Sequence, residues 1–163
     1  MGSLLDADHR GKTRFRLSIN PDALIKKFEH ATPVLPVRLA TAKKAAEAGY
    51  PAEFLVAPVI AVDGWKKHYQ ELFSKASSVL KDHKEGLTFE FVSHRFTKRA
   101  KAAILDVFSQ TELDLDEQSR AFKFGQFGYG KYIYTEELFQ EIKTFLTSLT
   151  ERHFHGARIE YFV

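Results

Sequence analysis

Hydrophobic residues follow two different spacings along the chain, and these spacings predict strands and helices in turn. Alternating apolar residues predict a strand at 14–19, and a continuous apolar run predicts another at 54–62. A continuous run is typical of a strand that is buried on both faces of a parallel sheet. Because Pro58 lacks a backbone N–H, we expect this strand to end or bend there. Two more strands are predicted at 87–92 and 158–163.

Between the strands, apolar residues recur every three or four positions, which predicts amphipathic helices. These segments are 21–30, 35–48, 64–80, 97–108 and 135–149. Asn20 is expected to cap the first helix, with Pro21 at its first helical position. Gly49 is expected to end the second helix. Strands that alternate with helices favour an α/β fold with parallel strands and right-handed crossovers.

The segment 122–134 is rich in aromatic residues and glycine, and this composition predicts a β-hairpin. Residues 1–12 are polar and unpatterned, so we expect a tail or loop there. A closed eight-stranded α/β barrel takes ~250 residues, and this chain of 163 residues has too few strand–helix units for one. The expected architecture is a single domain over 1–163, either a partial barrel or a small open sheet.

Composition narrows the function classes. With 44% hydrophobic and 28% charged residues, the chain fits a compact domain with a substantial core. No apolar run approaches the ~20 residues of a membrane-spanning helix. Since the first residues also lack the pattern of a secretory signal, we expect a cytoplasmic protein that is not integral to a membrane. The net charge of +3 permits an anionic partner without requiring one.

The sequence contains no cysteine. Disulfides, thiolate nucleophiles, cysteine-bound zinc and an iron–sulfur cluster held by this chain's own thiolates are therefore excluded. His153 and His155 have a spacing that can hold a metal ion, but no third ligand accompanies them, so we assign no metal ligand. Asp114, Asp116 and Glu117 could bind Mg²⁺ or transfer protons. Because leucines alternate with these acids, we expect them on the wet face of a short strand.

Two segments combine cations with features that suit nucleic acid. Residues 94–101 carry Arg95 and Lys98 among several cations and no acid, where a strand ends and a helix begins. Loops at strand carboxyl ends and helix N-termini accept phosphate, although a solvated helix start has the same pattern. In the predicted hairpin, aromatic residues interleave with Lys123 and Lys131. That arrangement suits the binding of bases and phosphate. A hairpin that packs its aromatic rings onto the core has the same sequence pattern.

Six short strings occur together, in the same order, in one known family. They are residues 14–20 (RFRLSIN), 48–51 (AGYP), 56–58 (VAP), 94–98 (HRFTK), 130–134 (GKYIY) and 159–162 (IEYF). On these strings the chain resembles the C-terminal half of spore photoproduct lyases, from about residue 4 to residue 163. Each string alone is weak evidence, but six strings in order are specific.

The resemblance implies a radical S-adenosylmethionine (AdoMet) enzyme on an incomplete (β/α)6 barrel. Such enzymes reverse 5-thyminyl-5,6-dihydrothymine, the spore photoproduct, in UV-damaged spore DNA. A [4Fe–4S] cluster reductively cleaves AdoMet, and the resulting radical abstracts a hydrogen atom from the lesion. The implied partner is UV-damaged duplex DNA, and the implied location is the cytoplasm of the spore core or of the germinating cell.

The chain departs from the family where the cluster binds. In the family, the cluster motif C-x-x-x-C-x-x-C and the cysteine that returns hydrogen to the product lie in the N-terminal half, and this chain has neither. We therefore assign no catalytic residue here and expect the chain alone to be inactive, with a missing N-terminal half as its implied partner. Two alternatives stay open: a non-catalytic basic module that binds DNA, and a non-functional remnant.

The resemblance also implies binding residues for the cofactor. Ser18 matches the family serine that hydrogen-bonds the amino-acid end of AdoMet. Ala57 matches the residue whose backbone lies against the adenine. Both are expected near strand ends, where the sites of α/β barrels are built.

The predicted hairpin is where the family holds the flipped-out lesion. Gln126 and Phe127 stand where the family commonly has arginine and tyrosine, and Lys131 and Tyr132 match the family. The residues predicted to bind DNA or the lesion are Arg95, Lys98, Gln126, Phe127, Lys131 and Tyr132.

Overall fold

The elements of the computed structural model follow the predicted alternation of strands and helices. The structure describes residues 5–6, 8–10, 12–125 and 129–163. In chain order the elements are β1 (Phe15–Ser18), α1 (Asp22–Phe28), α2 (Leu35–Glu47), β2 (Ala52–Val59), α3 (Trp65–Val79), β3 (Thr88–Ser93), α4 (Lys98–Val107), β4 (Ala121–Phe124), β5 (Gly130–Ile133), α5 (Glu136–His153) and β6 (Arg158–Phe162).

Four parallel strands form the main sheet, in the order β1-β2-β3-β6. Because all four run the same way, their carboxyl ends meet at one edge of the sheet. The predicted α/β fold with parallel strands is confirmed. The strand β2 continues past Pro58 to Val59, so it does not end where the sequence allowed, but its pairing with β3 shifts register between Val56 and Val59. The peptide bond between Ala57 and Pro58 is cis.

One face of this sheet packs against the helices and forms the core. Phe54, Phe89 and Phe91 project from β2 and β3 and are fully buried. They meet Phe73 of α3 and Phe154, which follows α5, and the ring centroids of Phe73 and Phe89 are 5.5 Å apart. Stacked aromatic side chains that are removed from water stabilise the fold strongly. The hydrophobic core therefore lies between this face and the helices.

The opposite face, called the open face below, carries ion pairs. Arg16 of β1 donates to Glu53 of β2 and, at 2.6 Å, to the Oε1 atom of Glu90 on β3. Arg14 donates to the hydroxyl of Thr88 at 2.9 Å. Arg16 is about half exposed, at 54%, so these pairs add little net stability. The stability of the sheet therefore comes from the face that packs against the helices.

The first helix begins differently from the prediction. The sequence predicts Asn20 as the N-cap, but the cap residue is Pro21, without a side-chain hydrogen bond, and α1 starts at Asp22. The amide of Asn20 donates instead to Glu29 Oε1 at 2.9 Å and to the carbonyl oxygen of Pro58 at 3.1 Å. Because Asn20 is buried, its polar atoms need partners within the fold. Its side chain makes these contacts with Glu29 and Pro58 instead of capping α1.

The end of the second helix follows the prediction. Gly49 follows α2 in the left-handed conformation, with φ +81°, and its N–H donates to the carbonyl oxygen of Ala46 at 2.9 Å. The hydroxyl of Thr135 caps α5 by accepting a hydrogen bond from the N–H of Leu138. The helix α5 continues beyond its predicted end at residue 149, to His153.

The amphipathic helix predicted at 97–108 is present as α4, but its apolar side is only partly covered. None of its residues is fully buried, although Ile104 packs against the cluster of Phe96, Leu115 and Tyr132. Val107 is 69% exposed and Phe108, which follows the helix, is 47% exposed. The start of α4 is well defined, since the Thr97 hydroxyl accepts a hydrogen bond from the Ala100 N–H at 3.1 Å. A periodic pattern identifies the apolar side of a helix but not how much of that side its neighbours cover.

The short strand predicted around residues 113–115 is also wrong, since the segment lies in no strand. The carboxylate of Asp114 accepts a hydrogen bond from the N–H of Asp116 at 3.0 Å, which makes a local turn. Leu115 is buried between Phe96 and Tyr132. This side chain is buried by aromatic neighbours without any pairing in a sheet.

The strands β4 and β5 form a separate antiparallel sheet, called the ribbon below. The predicted hairpin spans 122–134, of which residues 126–128 lie outside the described residues. Phe96 forms an additional antiparallel bridge to Tyr132. Because Phe96 closely follows the last residue of β3, this bridge places the ribbon beside the carboxyl edge of the main sheet.

Candidate functional site

Ser18 and Ala57 lie on neighbouring strands of the open face, near the carboxyl edge of the sheet. Ser18 is the last residue of β1 and is in register with Leu55 of β2. Ala57 lies two residues further toward the carboxyl end of β2, in the stretch where the pairing with β3 shifts register. Ser18 is exposed and Ala57 is half-buried. The structure thus brings the two predicted AdoMet-contacting residues to an edge where α/β proteins bind ligands.

A buried arginine fixes the backbone at Ser18. Arg38, on α2, donates through Nη1 to the carbonyl oxygen of Ser18 at 3.2 Å and through Nη2 to Glu29 Oε2 at 2.6 Å. Its Nε donates to the carbonyl oxygen of Pro33 at 2.7 Å. The side chain of Arg38 is only 9% exposed, so its charge depends on these partners for stabilisation. The carbonyl group at the end of β1 is therefore held by a buried guanidinium group that donates four hydrogen bonds.

A second buried group ties the ends of β1 and β2 together. The Tyr69 hydroxyl accepts a hydrogen bond from the Ile60 N–H at 3.0 Å and donates to Asn20 Oδ1 at 3.5 Å. Burial raises the pKa of Tyr69 far above its usual value, so the hydroxyl keeps the proton that it donates. Asn20 in turn donates to the carbonyl oxygen of Pro58, the residue after Ala57. The two strand ends are thus positioned before any ligand arrives.

Arg120 joins three parts of the chain beside the same edge. Its Nη2 lies 2.9 Å from Asp114 Oδ2, and its Nη1 donates to the carbonyl oxygen of His94 at 3.2 Å. The guanidinium carbon lies 4.1 Å from the ring centroid of Tyr134, a cation–π contact. The hydroxyl of Tyr134 accepts a hydrogen bond from the Ala61 N–H at 2.9 Å. The loop before β4 and the ends of β2 and β3 therefore form one connected network.

Within this network His94 is neutral at neutral pH. Burial and the charge of Arg120 lower the pKa of His94 to about 4, and its Nδ1 lies 3.3 Å from Arg120 Nη2. Burial opposes ionisation of Asp114, but hydrogen bonds from the Asp116 N–H and from Arg120 lower the pKa of that carboxyl. His94 therefore serves as a hydrogen-bond acceptor here, and Asp114 serves as the counter-ion of Arg120.

The ribbon has an aromatic face and a basic face, because paired residues project to the same side of a sheet. Phe122 opposite Tyr132 forms the aromatic face, and Lys123 opposite Lys131 forms the basic face. The ring centroids of Phe122 and Tyr132 are 5.1 Å apart, and Phe96 stacks on Tyr132 at 5.3 Å. Rings and cations alternate along the sequence, and the strands therefore place the rings on one face of the ribbon and the cations on the other.

Lys98 and Tyr132 border a cleft of about 670 Å³ on the aromatic face. Both are already engaged by Glu117. The Nζ atom of Lys98 lies 3.8 Å from Glu117 Oε2, and a hydrogen bond to Glu117 raises the pKa of Tyr132. The exposed rings of this cleft are those of Tyr129, at 79%, and Phe122, at 46%. The aromatic face thus offers rings on which a base can stack, beside Lys98, whose charge Glu117 partly neutralises, and Arg99, which forms no ion pair among the described residues.

Arg95 and Lys131 border a different cleft, of about 280 Å³, on the basic face, together with Lys123. The residues predicted to bind DNA are therefore divided between the two faces of the ribbon. Gln126 and Phe127, which are predicted to contact the lesion, lie outside the described residues.

Sequence reasoning did not identify Arg38 or Arg120, because an arginine on a helix or in a loop has the local pattern of a solvent-facing residue. Their carboxylate partners lie on other segments, and nothing local identifies them. Lys123 had a usable signal. Lys123 and Lys131 are equally distant from residue 127, in the centre of a glycine-rich segment, so a symmetric turn places them opposite each other.

Metal ligands are scarce in the part of the chain that the structure describes. It contains no group of three or more His, Asp or Glu side chains that could hold a metal ion, and the sequence contains no cysteine. A [4Fe–4S] cluster held by thiolates does not fit this chain. Among the described residues, no helix is both long and apolar enough to cross a bilayer. The site offers an exposed hydroxyl, aromatic rings and cations, which are groups suited to binding.

Known proteins resemble this chain over its entire length. The family model "Spore photoproduct lyase" matches residues 1–163. The spore photoproduct lyase of Bacillus subtilis (strain 168) is 46% identical over 160 residues, which cover 98% of this chain and 47% of that protein. The spore photoproduct lyase of Clostridium acetobutylicum is 44% identical over 163 residues, covering 100% of this chain and 48% of that protein. The chain spans about half the length of these curated relatives.

Solved structures show the same relationship. A spore photoproduct lyase mutant with bound AdoMet and dinucleoside spore photoproduct superposes with a TM-score of 0.95 at 44% sequence identity, covering 99% of this chain and 48% of that one. A spore photoproduct lyase complexed with dinucleoside spore photoproduct matches with the same score and coverage. Since the family model covers the chain completely, the chain belongs to the spore photoproduct lyase family.

Proposed function

We propose that this chain is the C-terminal part of a spore photoproduct lyase. Together with a cluster-bearing N-terminal part, it repairs 5-thyminyl-5,6-dihydrothymine in UV-damaged spore DNA by AdoMet radical chemistry. The observation that carries the proposal is the family match over residues 1–163 in a chain that spans about half of its relatives. A relative that binds both AdoMet and dinucleoside spore photoproduct supports the two ligands. Its place of action is the spore core or the germinating cell.

In this proposal the main sheet is part of an incomplete (β/α)6 barrel, and the open face lines the barrel interior. The strands β1 and β6 each pair with only one strand of the described residues, so both can accept a neighbouring strand from the N-terminal part. Barrel interiors of this kind bind their ligands at the carboxyl ends of the strands. The ribbon is the aromatic β-hairpin beside the lesion.

AdoMet fits the edge formed by Ser18 and Ala57. The Ser18 hydroxyl is exposed on the open face and can hydrogen-bond the amino-acid end of the cofactor. The small side chain of Ala57 leaves room for a flat purine against the backbone. In the complete enzyme, AdoMet supplies the radical chemistry. The role of this chain's residues is orientation, since Arg38 fixes the Ser18 carbonyl and the Asn20 amide fixes the Pro58 carbonyl.

The iron–sulfur cluster does not fit, and no step is assigned to it on this chain. Its thiolate ligands must come from another polypeptide or another segment, since the sequence has no cysteine. We therefore expect the chain alone to bind ligands without turning them over.

The proposal is tested by complementation. The purified chain is mixed with the N-terminal half of a full-length relative, the cluster is reconstituted, and dinucleoside spore photoproduct is supplied with AdoMet and a reductant. We expect thymidine from the mixture and none from either part alone. The matched control is the same relative divided at the corresponding position. If that control repairs the lesion and the mixture does not, this chain is not a working part of a lyase.

A basic DNA-binding module without chemistry is the second candidate. It is favoured by Arg95, Lys123 and Lys131, which form no ion pair with a carboxylate among the described residues. The two candidates differ in lesion preference. A plain binding module should bind damaged and undamaged duplex equally, with a steep dependence on salt. Equal affinity combined with failed complementation would support the module over the lyase part.

A further inference from the structure

Three cations converge on the basic face of the ribbon. Arg95, Lys123 and Lys131 line the cleft of about 280 Å³ described above, and its other walls include Ile133 and Phe139. Lys123 and Lys131 are direct cross-strand partners. The cleft is therefore a pocket with a cationic rim and partly apolar walls.

These cations lack internal counter-ions within the described residues. None of the three forms an ion pair there. Glu136 is the one acidic side chain that lines the cleft, and it accepts a hydrogen bond from Gln140 at 2.7 Å; the chain-terminal residue Val163 also lines the cleft and forms no ion pair with the three cations. On the aromatic face, by contrast, Glu117 pairs with Lys98 and Lys101 of α4, at 3.2 Å from Lys101, and Arg99 is the cation there without such a partner among the described residues. Like charges directly opposite each other destabilise a sheet, so an external anion bound between them would stabilise the basic face.

The electrostatics of Lys131 agree with this geometry. Partial burial, followed by the charges of Arg95 and Lys123, lowers the pKa of the Lys131 ammonium group. An anion between the three cations would remove most of the mutual repulsion. A phosphate oxygen has the right charge, and it accepts hydrogen bonds from both ammonium and guanidinium groups.

We propose that this cleft binds a phosphodiester group of the DNA strand whose base stacks on the aromatic face, so that the ribbon contacts backbone and base on opposite sides. The inference rests on the proposed function and adds a named phosphate subsite with Lys123 as a member. Phosphate contacts fix the position of a nucleic acid without reading its sequence. The cleft would therefore hold the strand in place whatever the bases beside the lesion.

The test measures the binding of a fluorescein-labelled oligothymidylate to the full chain by anisotropy over a series of KCl concentrations. The variants are Lys123→Gln and Lys131→Gln, with Lys44→Gln on an exposed position of α2 as the matched control. We expect each cleft variant to bind about fivefold more weakly and to lower the salt slope by about 0.7, the share of one phosphate contact on a single strand. Inorganic phosphate should compete with the oligonucleotide for the original chain more strongly than for Lys131→Gln.

Two results would overturn the inference. One is a salt slope for Lys123→Gln and Lys131→Gln that equals the slope of Lys44→Gln. The other is inorganic phosphate that competes equally well for the original chain and for Lys131→Gln, with circular dichroism and the urea midpoint showing that both chains are folded. The outcome is separate from that of complementation, because a dinucleoside carries no phosphodiester. If repair fails but the cleft variants still lower the salt slope, only the lyase function is rejected. If repair succeeds but the cleft variants leave the salt slope unchanged, only the phosphate site is rejected.

Discussion

His94 makes the stability of this domain depend on pH. Burial and the neighbouring Arg120 lower its pKa to about 4 in the folded chain, whereas an unfolded histidine titrates near 6.5. The unfolded chain therefore binds the extra proton first, and stability is lost as the pH falls from about 6.5 toward 4. The full effect is roughly 3 kcal/mol, from a shift of that size at about 1.4 kcal/mol per pH unit. Asp114 and Arg120 are the charged groups that face the ring.

Urea unfolding at several pH values measures this effect. We expect His94→Gln to reduce the change in unfolding free energy between pH 6.5 and pH 4.5, because glutamine does not titrate; His153, whose pKa is lowered by partial burial, still contributes to this change. The exposed His155→Gln provides the control and should keep the original pH dependence. Identical pH profiles for His94→Gln and the original chain would contradict the buried, neutral state of His94.

Whether an individual polar side chain is buried could not be predicted from the sequence. Ser18 and Ala57 were found only through the family resemblance, which identified them by their strings. Arg38 and Arg120 became visible only in the structure, since an arginine is buried only where a carboxylate and several carbonyl groups surround it. Those groups come from different parts of the chain, and only the complete fold brings them together.

At the scale of elements, Gly130 is required by a ring that lies directly on it. A Cβ atom at this position would lie 1.9 Å from the Cζ atom of Phe122. Gly130→Ala must therefore displace the Phe122 ring from its contact with Tyr132, at a cost of about 1 kcal/mol for the lost aromatic pair. Urea unfolding should show this loss. In a chain that already carries Phe122→Leu, Gly130→Ala should cost less unfolding free energy than it does in the original chain. Additive losses in the double variant would show that the ring and the glycine are not coupled.

The elements themselves were largely predictable, and the errors have a common cause. Apolar periodicity found the parallel strands and the helices, because burial on a sheet leaves a repeating pattern. The same reasoning failed for the strand at residues 113–115, and for α4 it did not show how little of the apolar side is covered. Ile104 packs against the cluster of Phe96, Leu115 and Tyr132, whereas Val107 is 69% exposed. Leu115 is buried by two rings outside any sheet.

At the scale of the whole molecule, the main sheet ends in two edges that no other described strand covers. Free strand edges and incompletely covered faces promote association between chains. We expect the isolated chain to self-associate with increasing concentration, and an N-terminal half from a relative to convert it into a complex with one copy of each part. Sedimentation velocity distinguishes these states. A chain that stays monomeric at all concentrations and does not bind the N-terminal half would contradict the partial-barrel proposal.

The separation of rings and cations on the ribbon constrains how this region can change over time. Which side a residue of β5 occupies depends on whether its position is odd or even. Inserting or deleting a single residue before Lys131 within the strand would exchange the positions of Lys131 and Tyr132 and mix both chemistries on each side. Length variation here should therefore come in steps of two residues, while substitutions that keep the order of ring and cation remain open to selection.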